Sequence, residues 1–234
     1  MRRSLRRIFW LNPISVALIK RFAQRQYYNA LHEFTVPRWD IERPQSEMVR
    51  LAEHGAIKGA VLDVGCGKGE LALHLASLGF HVLGIDSSEA AVKNAMQKAR
   101  HTNLTVDFLV ANALTLDVDK RFDTAVDSGF FQILTPTKRK EFAASLWKVL
   151  KPYGRYYSLG LSDRPNCRGP CVSIQSIEDT FSHGWRIEYI HDALMEHLTE
   201  KVPARLFVVT KVDPPRRHGN ERCPKSSYFI FCSA

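Results

Sequence analysis

The residues best suited to chemistry lie in one glycine-rich segment, residues 63–70, with the sequence Asp-Val-Gly-Cys-Gly-Lys-Gly-Glu. It follows an apolar run typical of a buried strand and precedes apolar residues at helical spacing. A turn from a strand into a helix directs free backbone N–H groups at a ligand, and glycine leaves room for its approach. The segment is therefore predicted to bind a small molecule.

The spacing of the glycines favours one kind of ligand. A dinucleotide site uses G-x-G-x-x-G, but here Glu70 occupies the position of the third glycine. Its side chain would obstruct packing of the helix on the strand, and its charge would repel a pyrophosphate. Gly65, Gly67 and Gly69 instead have the spacing expected for a nucleoside that carries an amino-acid arm.

Asp86 supports a nucleoside ligand. It ends the second predicted strand, 21 residues after Gly65, where a carboxylate can accept hydrogen bonds from both hydroxyls of a ribose. Asp86 alone does not separate NAD from S-adenosylmethionine, but the glycine spacing favours S-adenosylmethionine. The alternative role of Asp86 is to cap the helix that follows.

Alternating apolar patterns indicate the elements that position these residues. Strands are predicted at 60–64, 81–85, 105–110, 122–126, 155–159, 185–190 and 205–212, with helical spacing between most of them. Ser87 is predicted as a helix N-cap, and Leu78 and Met96 are placed on inward helical faces. The alternation predicts an α/β fold: a Rossmann-like, mostly parallel seven-stranded sheet with helices on both faces.

The 234 residues, of which 45% are hydrophobic, are enough for one substantial domain. The formal net charge of +9 comes from the ends: residues 1–32 hold six Arg, one Lys and no acid, and residues 213–234 hold four basic and two acidic residues. The neutral middle argues against nucleic acid as a partner. The predicted organisation is a basic extension (1–32), a catalytic domain (33–212) and a tail (213–234).

Two roles are open for the basic extension. An Arg-rich, acid-free segment is typical of an organelle-targeting sequence or of a helix on a membrane surface. The other role is a helix that folds over the active site as a lid. The protein is expected to be a cytoplasmic monomer, with a mitochondrial or membrane-surface location through residues 1–32 as the alternative.

Cys66, Cys167, Cys171, Cys223 and Cys232 form no disulfide-rich or metal-binding pattern, so reduced thiols and no metal are expected. Only Cys167 and Cys171 are close together, and a disulfide or metal role for this pair is the alternative. Cys66 is expected to be a small residue beside the cofactor rather than a nucleophile.

Four segments resemble the motifs of class I methyltransferases. Residues 61–70 resemble the first motif, 84–86 the second, 123–129 the fourth and 150–154 the one that follows. Residues 37–45, 127–131 and 162–170 are most similar to the branch that methylates thiopurines, thiols and halides. The resemblance covers about residues 39–212 and implies S-adenosylmethionine as cofactor and a small molecule as methyl acceptor.

The resemblance also implies a role for individual residues. No dedicated base is identified, and the candidates for a catalytic role are Asp127 and Ser128, near the methyl end. The implied cofactor contacts are Trp39 as a cover, Asp63, Gly65, Cys66 and Gly67 at the methionine part, Asp86 and Ser87 at the ribose, Asn112 and Ala113 at the adenine, and Asp127 at the methyl and amino end.

Two residues depart from the family pattern. Asn112 stands where an Asp is common, which predicts weaker selectivity for adenine, and Gln132 stands where close relatives often have a His. Because Gln cannot act as a base, a thiol acceptor is favoured over an oxygen or nitrogen acceptor: a thiol of modest pKa ionises near neutral pH unaided. His32, His183 and His191 are the available imidazoles, each expected in a surface or packing role.

Phe130, Phe131, Tyr27 and Tyr28 are candidates to line an apolar acceptor pocket, although core or lid positions are favoured. Two other functions are carried as alternatives. Glu70 disfavours a nicotinamide-dependent oxidoreductase. A catalytically inactive cofactor-binding module would fit the departures at Asn112 and Gln132.

Overall fold

The computed structural model describes residues 26–30, 37–165, 167 and 169–212. Residues 26–30 are helical, and the longer helices are α1 (Ser46–Glu53), α2 (Glu70–Ser77), α3 (Glu89–Arg100), α4 (Pro136–Val149) and α5 (Ile174–Thr180). The strands are β1 (Val61–Val64), β2 (Val82–Asp86), β3 (Val106–Val110), β4 (Phe122–Ser128), β5 (Leu150–Leu161), β6 (Trp185–Glu196) and β7 (Lys201–Lys211). None of the described helices is long and apolar enough to cross a membrane.

The seven strands form one sheet in the order β3-β2-β1-β4-β5-β7-β6. The pairs among β1 to β5 are parallel, and β7 is antiparallel to both of its neighbours. The predicted Rossmann-like fold is therefore confirmed. Strand order reverses between β1 and β4, and in open α/β sheets ligands bind at this point, beyond the carboxyl ends of the strands.

Apolar side chains cover both faces of the sheet. Phe142 of α4 belongs to the cluster on one face, and Leu75 of α2 and Val92 of α3 belong to the cluster on the other. Tyr156 and Tyr157, which are adjacent in β5, are fully buried in different clusters because successive strand residues point to opposite faces. The middle of the sheet is thus packed on both sides.

Some local predictions were wrong. Ser88, not Ser87, caps α3, since its hydroxyl accepts a hydrogen bond from the backbone N–H of Ala91 at 3.2 Å. Met96 is exposed because the buried stripe of α3 begins one residue earlier than predicted, at Ala91. Leu78 is exposed as well, because α2 ends at Ser77 and Leu78 is the C-cap residue that follows it.

The last three strands are longer than predicted. β5 begins directly after α4, at Leu150 rather than at residue 155, and its first part contains Pro152 and Gly154, which are uncommon inside strands. β6 and β7 extend to a tight hairpin at residues 197–200, where charged residues obscure the apolar pattern. Residues 1–25, His32 and the tail at 213–234, including Cys223 and Cys232, lie outside the described part of the chain.

Candidate functional site

The glycine turn follows β1 and leads into α2, as predicted. The backbone N–H groups of Gly65 and Cys66 donate to the carbonyl of Ile85 at 2.8 and 3.0 Å, which ties the turn to β2. Gly65 and Gly69 have φ angles of 69° and 84°, in the left-handed region that favours glycine. A Cβ on Gly65 would lie 2.9 Å from the Cβ of Phe130, so no larger residue fits without movement.

Asp63, at the end of β1, is the most unusual carboxylate in the site. Only 2% of the residue is exposed, and its Oδ2 has no hydrogen-bond partner among the described residues. Burial, followed by the charges of Asp127 and Asp86, raises the pKa of Asp63 to about 8. A buried polar atom without a partner is costly, and a cationic group bound in the turn would supply the missing partner.

Asp86 lies at the end of β2 beside the glycine turn. One carboxylate oxygen accepts from the backbone N–H of Gly67 at 3.0 Å, and the other from that of Ser88 at 2.8 Å. The carboxylate therefore joins the glycine turn to the start of α3. Ser87, between these groups, is exposed at the same edge.

The helical segment at 26–30 packs on this edge. The side-chain oxygen of Asn29 accepts from the hydroxyl of Ser88 at 2.7 Å and from the backbone N–H of Ala90 at 3.4 Å. Tyr28 is near enough to Asp86 for its charge to raise the pKa of the phenol, after burial and Tyr27. Part of the predicted extension thus lies beside the carboxylate assigned to the ribose.

The predicted adenine side is next along the edge. Ala111 follows β3 and donates its backbone N–H to the carbonyl of Asp86 at 2.9 Å. The side-chain oxygen of Asn112 accepts from the backbone N–H of Leu114 at 3.2 Å, which begins a short 3-10 helix, Ala113–Thr115. Ala113 is buried.

Asp127, near the end of β4, is fully buried and does not line an open surface. Its carboxylate accepts from the backbone N–H groups of Phe130 and Phe131, at 2.9 and 3.4 Å, and from the hydroxyl of Tyr156. Burial, only partly opposed by these hydrogen bonds, raises the pKa of Asp127 to about 6. The carboxylate thus shapes the turn that includes Ser128, which is partly exposed.

The two phenylalanines of this turn have different positions. Phe130 lies against Gly65, with its ring 5.2 Å from that of Phe142. Phe131 is fully buried in the core, 5.2 Å from the ring of Phe207, and so does not line a pocket. Tyr27 is exposed.

Trp39 belongs to a segment that is clamped to the glycine turn and to the β6–β7 hairpin. Asp40 forms a 2.6 Å ion pair with Lys68, inside the glycine turn. Gln45 exchanges two hydrogen bonds with the backbone of Glu196, at 2.8 and 2.7 Å. Trp39 itself is 46% exposed.

Glu196 holds this clamp through its carboxylate as well as its backbone. The side chain accepts from Arg43 at 2.8 Å and from the hydroxyl of Ser46 at 2.9 Å. The hydrogen bond from Arg43 is the main reason that the pKa of Glu196 lies far below its ordinary value. The sequence contained no local signal for these contacts, because the partners are about 150 residues apart.

The ends of β4 and β5 meet at Gln132. Its side-chain oxygen accepts from the backbone N–H of Leu161 at 2.5 Å, and Leu161 in turn accepts from the N–H of Val172 at 2.7 Å. His183 precedes β6 and therefore lies at the opposite edge of the sheet. His191 is stacked on Tyr189, at 5.2 Å, in the middle of β6.

The expectation of reduced thiols was wrong for one pair, since Cys167 and Cys171 form a disulfide beyond β5. Cys66 is a buried free thiol, and burial followed by the charge of Asp63 raises its pKa well above the ordinary value. It is therefore neutral and unsuited to act as a nucleophile. Among the described residues no group of three or more His, Cys, Asp or Glu side chains could hold a metal ion.

Comparisons with known proteins agree with this geometry. A methyltransferase-domain family model matches residues 61–154. A 2-heptyl-1-hydroxyquinolin-4(1H)-one methyltransferase of Mycobacteroides abscessus is 32% identical over 67% of this chain and 72% of the relative. A probable thiol methyltransferase of Arabidopsis thaliana is 32% identical over 60% of this chain and 63% of the relative.

A solved structure gives the same result at the level of the fold and the sequence. It was reported for the conversion of a disulfide bond into a thioacetal group during echinomycin biosynthesis, and it superposes with a TM-score of 0.76 at 32% identity. The match covers 81% of this chain and 92% of that one. With a glycine turn after β1, carboxylates at the ends of β1 and β2, and these relatives, the chain belongs to the class I S-adenosylmethionine-dependent methyltransferases.

Proposed function

We propose that the chain methylates a small apolar acceptor whose nucleophile ionises near neutral pH, with an aromatic thiol as the favoured class. The observation that carries this proposal is that the side chains of Asp127 and Gln132 are already hydrogen-bonded within the protein. Both side chains lie where β4 ends, and both are engaged in hydrogen bonds with backbone N–H groups. An alcohol or amine that needs a base finds none in either group, whereas a thiol of modest pKa needs none.

The residues at the switch point fit the cofactor. The unpartnered oxygen of Asp63 suits the ammonium group of the methionine part. We expect Asp86 to accept from the ribose hydroxyls as well, because each carboxylate oxygen can accept more than one hydrogen bond. Asn112 and Ala113 border the adenine side.

The chain's contribution to the reaction is alignment and exclusion of water. Bound S-adenosylmethionine supplies a methyl group that its sulfonium already activates. Phe130, packed against Gly65, covers the turn with an apolar ring, and Asp127 holds Phe130 in place without contacting the acceptor. Correct orientation of two reactants can contribute about 7–11 kcal/mol in favourable cases.

The segment at 26–30 acts as part of a lid. Its Asn29 is hydrogen-bonded to the N-cap of α3, and its Tyr28 lies near Asp86, so closing it over the ribose would exclude water. These contacts support the lid over the targeting role for this part of residues 1–32.

A hydroxylated N-heteroaromatic acceptor is the second candidate. The mycobacterial relative is named for a 1-hydroxyquinolone, and an N-hydroxyl group is acidic enough to ionise without a protein base. Like a thiol, it would therefore need no base from Asp127 or Gln132, whose side chains are hydrogen-bonded to backbone N–H groups.

A panel of acceptors tests the proposal. The formation of S-adenosylhomocysteine is measured with thiophenol, 2-heptyl-1-hydroxyquinolin-4(1H)-one, phenol and aniline at saturating cofactor. We expect turnover with the first two, with a rate that rises with pH and levels off at the acceptor's own pKa. A preference for phenol or aniline would contradict the proposal, and binding of S-adenosylhomocysteine without any turnover would indicate an inactive module.

A further inference from the structure

Arg139, in the first turn of α4, is the most buried cation among the described residues that have no carboxylate partner. Only 7% of the residue is exposed, although α4 places charged neighbours such as Lys140 in solvent. Its Nε has no hydrogen-bond partner among the described residues. A buried charge without a counter-ion is costly, so the contacts that Arg139 does make must offset part of that cost.

Those contacts join two loops. One guanidinium nitrogen, Nη2, donates to the carbonyl of Gln132 at 3.4 Å and to the carbonyl of Cys171 at 3.1 Å. The guanidinium carbon lies 4.8 Å from the centre of the Phe131 ring, a cation–π distance. Gln132 and Phe131 belong to the turn after β4, and Cys171 belongs to the chain that returns from β5.

The joined elements lie together beyond the carboxyl ends of β4 and β5. Gly129 donates to the carbonyl of Leu159 at 2.8 Å, so the β4 turn and the end of β5 are in contact. Gln132 and Val172 both bond to Leu161. We call Leu161, Ser162, Cys171 and Val172 the loop neck, because this is where the chain leaves β5 and returns.

From this arrangement we infer that Arg139 is a positioning residue for the methyl acceptor: it fixes the loop neck against the turn that Asp127 shapes. Arginine suits the role since its planar guanidinium stacks flat on a ring while its N–H groups donate to carbonyls in fixed directions. The inference rests on the proposed function only for the choice of acceptor. It predicts that loss of Arg139 affects the acceptor and not the cofactor, whose proposed contacts lie mainly at the ends of β1, β2 and β3.

The test compares Arg139→Met and Arg139→Lys with Lys140→Met, a matched change at the exposed neighbour. Affinity for S-adenosylhomocysteine is measured by calorimetry, and KM and kcat are measured with thiophenol. Hydrogen exchange of residues 161–172 is followed as a readout that needs no turnover, with β2 as the internal reference.

We expect Arg139→Met to bind S-adenosylhomocysteine within twofold of wild type, to raise the KM for thiophenol at least tenfold, and to speed exchange at the loop neck alone. Arg139→Lys should recover part of the KM and of the protection, and Lys140→Met should match wild type. Unchanged exchange at the loop neck in a folded Arg139→Met variant would overturn the inference. So would a parallel loss of cofactor affinity in both Arg139 variants, which would indicate a general structural role. If wild type does not turn over thiophenol, the proposed acceptor is wrong, while the exchange and calorimetry results still decide whether Arg139 fixes the loop neck without affecting the cofactor.

Discussion

Replacing Asp63 with Asn should remove a pH dependence from cofactor binding. Burial raises the pKa of Asp63 to about 8, so at pH 7 roughly one molecule in ten carries the charge. A bound ammonium group stabilises the ionised carboxylate and lowers its pKa, so binding releases a proton. The affinity of the wild-type protein should therefore rise with pH up to about pH 8.

The size of the effect follows from the pKa. Below about pH 8 each pH unit should change the Kd about tenfold, which is about 1.4 kcal/mol. Once the pH exceeds the pKa of the ligand's own α-ammonium group, that group loses its charge and the affinity should fall again. Near pH 6 protonation of Asp127, whose pKa burial raises to about 6, should weaken the turn after β4 and add a second loss.

Calorimetric titrations with S-adenosylhomocysteine in half-unit steps from about pH 5.5 to 9 measure this profile. The control ligand is 5′-methylthioadenosine, which lacks the amino-acid arm and should bind with nearly constant affinity. Because Asn is neutral at every pH, the cofactor affinity of Asp63→Asn should lack the part of the pH dependence that comes from Asp63. The variant should bind about tenfold more weakly than wild type at pH 8. A flat wild-type profile, or an equal slope with the control ligand, would refute the pairing of Asp63 with the ammonium group.

Four further predictions concern other parts of the site. Asp86→Ala should weaken S-adenosylhomocysteine binding by on the order of 1.5–3 kcal/mol, and Asp86→Asn by less because it keeps one acceptor; calorimetry within twofold of wild type would exclude Asp86 as the ribose ligand. Gly65→Val should abolish binding in a protein that still melts cooperatively, since its Cβ would meet Phe130; retained affinity would place the cofactor elsewhere. Asn29→Ala should raise the Kd severalfold by releasing the 26–30 helix from Ser88, whereas an unchanged Kd and an unchanged turnover rate would argue against the lid. Peptide mapping without reductant should recover Cys167 and Cys171 as one linked peptide, and free thiols at both positions would contradict the disulfide.

The local parts of the site could be predicted from the sequence. The glycine turn depends on the spacing of Gly65, Gly67 and Gly69, and Asp86 on its place after an apolar run, so both follow from neighbouring residues. The seven strands could be counted for the same reason, since apolar runs and helical spacing are local patterns. Strand ends and caps were less certain because adjacent residues such as Ser87 and Ser88 have the same propensity.

The parts that depend on distant partners were decided only by the tertiary structure. No local pattern predicts the burial of Asp127. The same holds for the contacts of Asn29 with Ser88 and of Gln45 with Glu196, because these partners are far apart in the sequence. Arg139 left a partial signal, an arginine three residues before Phe142 on an apolar helical face, but its carbonyl partners come from two separate loops. The sequence therefore determined the fold and the class of cofactor through local spacing. Desolvation and the pairing of polar groups depend on which segments meet in space, and for that reason only the folded chain determined the burial of Asp63 and the contacts of Arg139 with the loop neck.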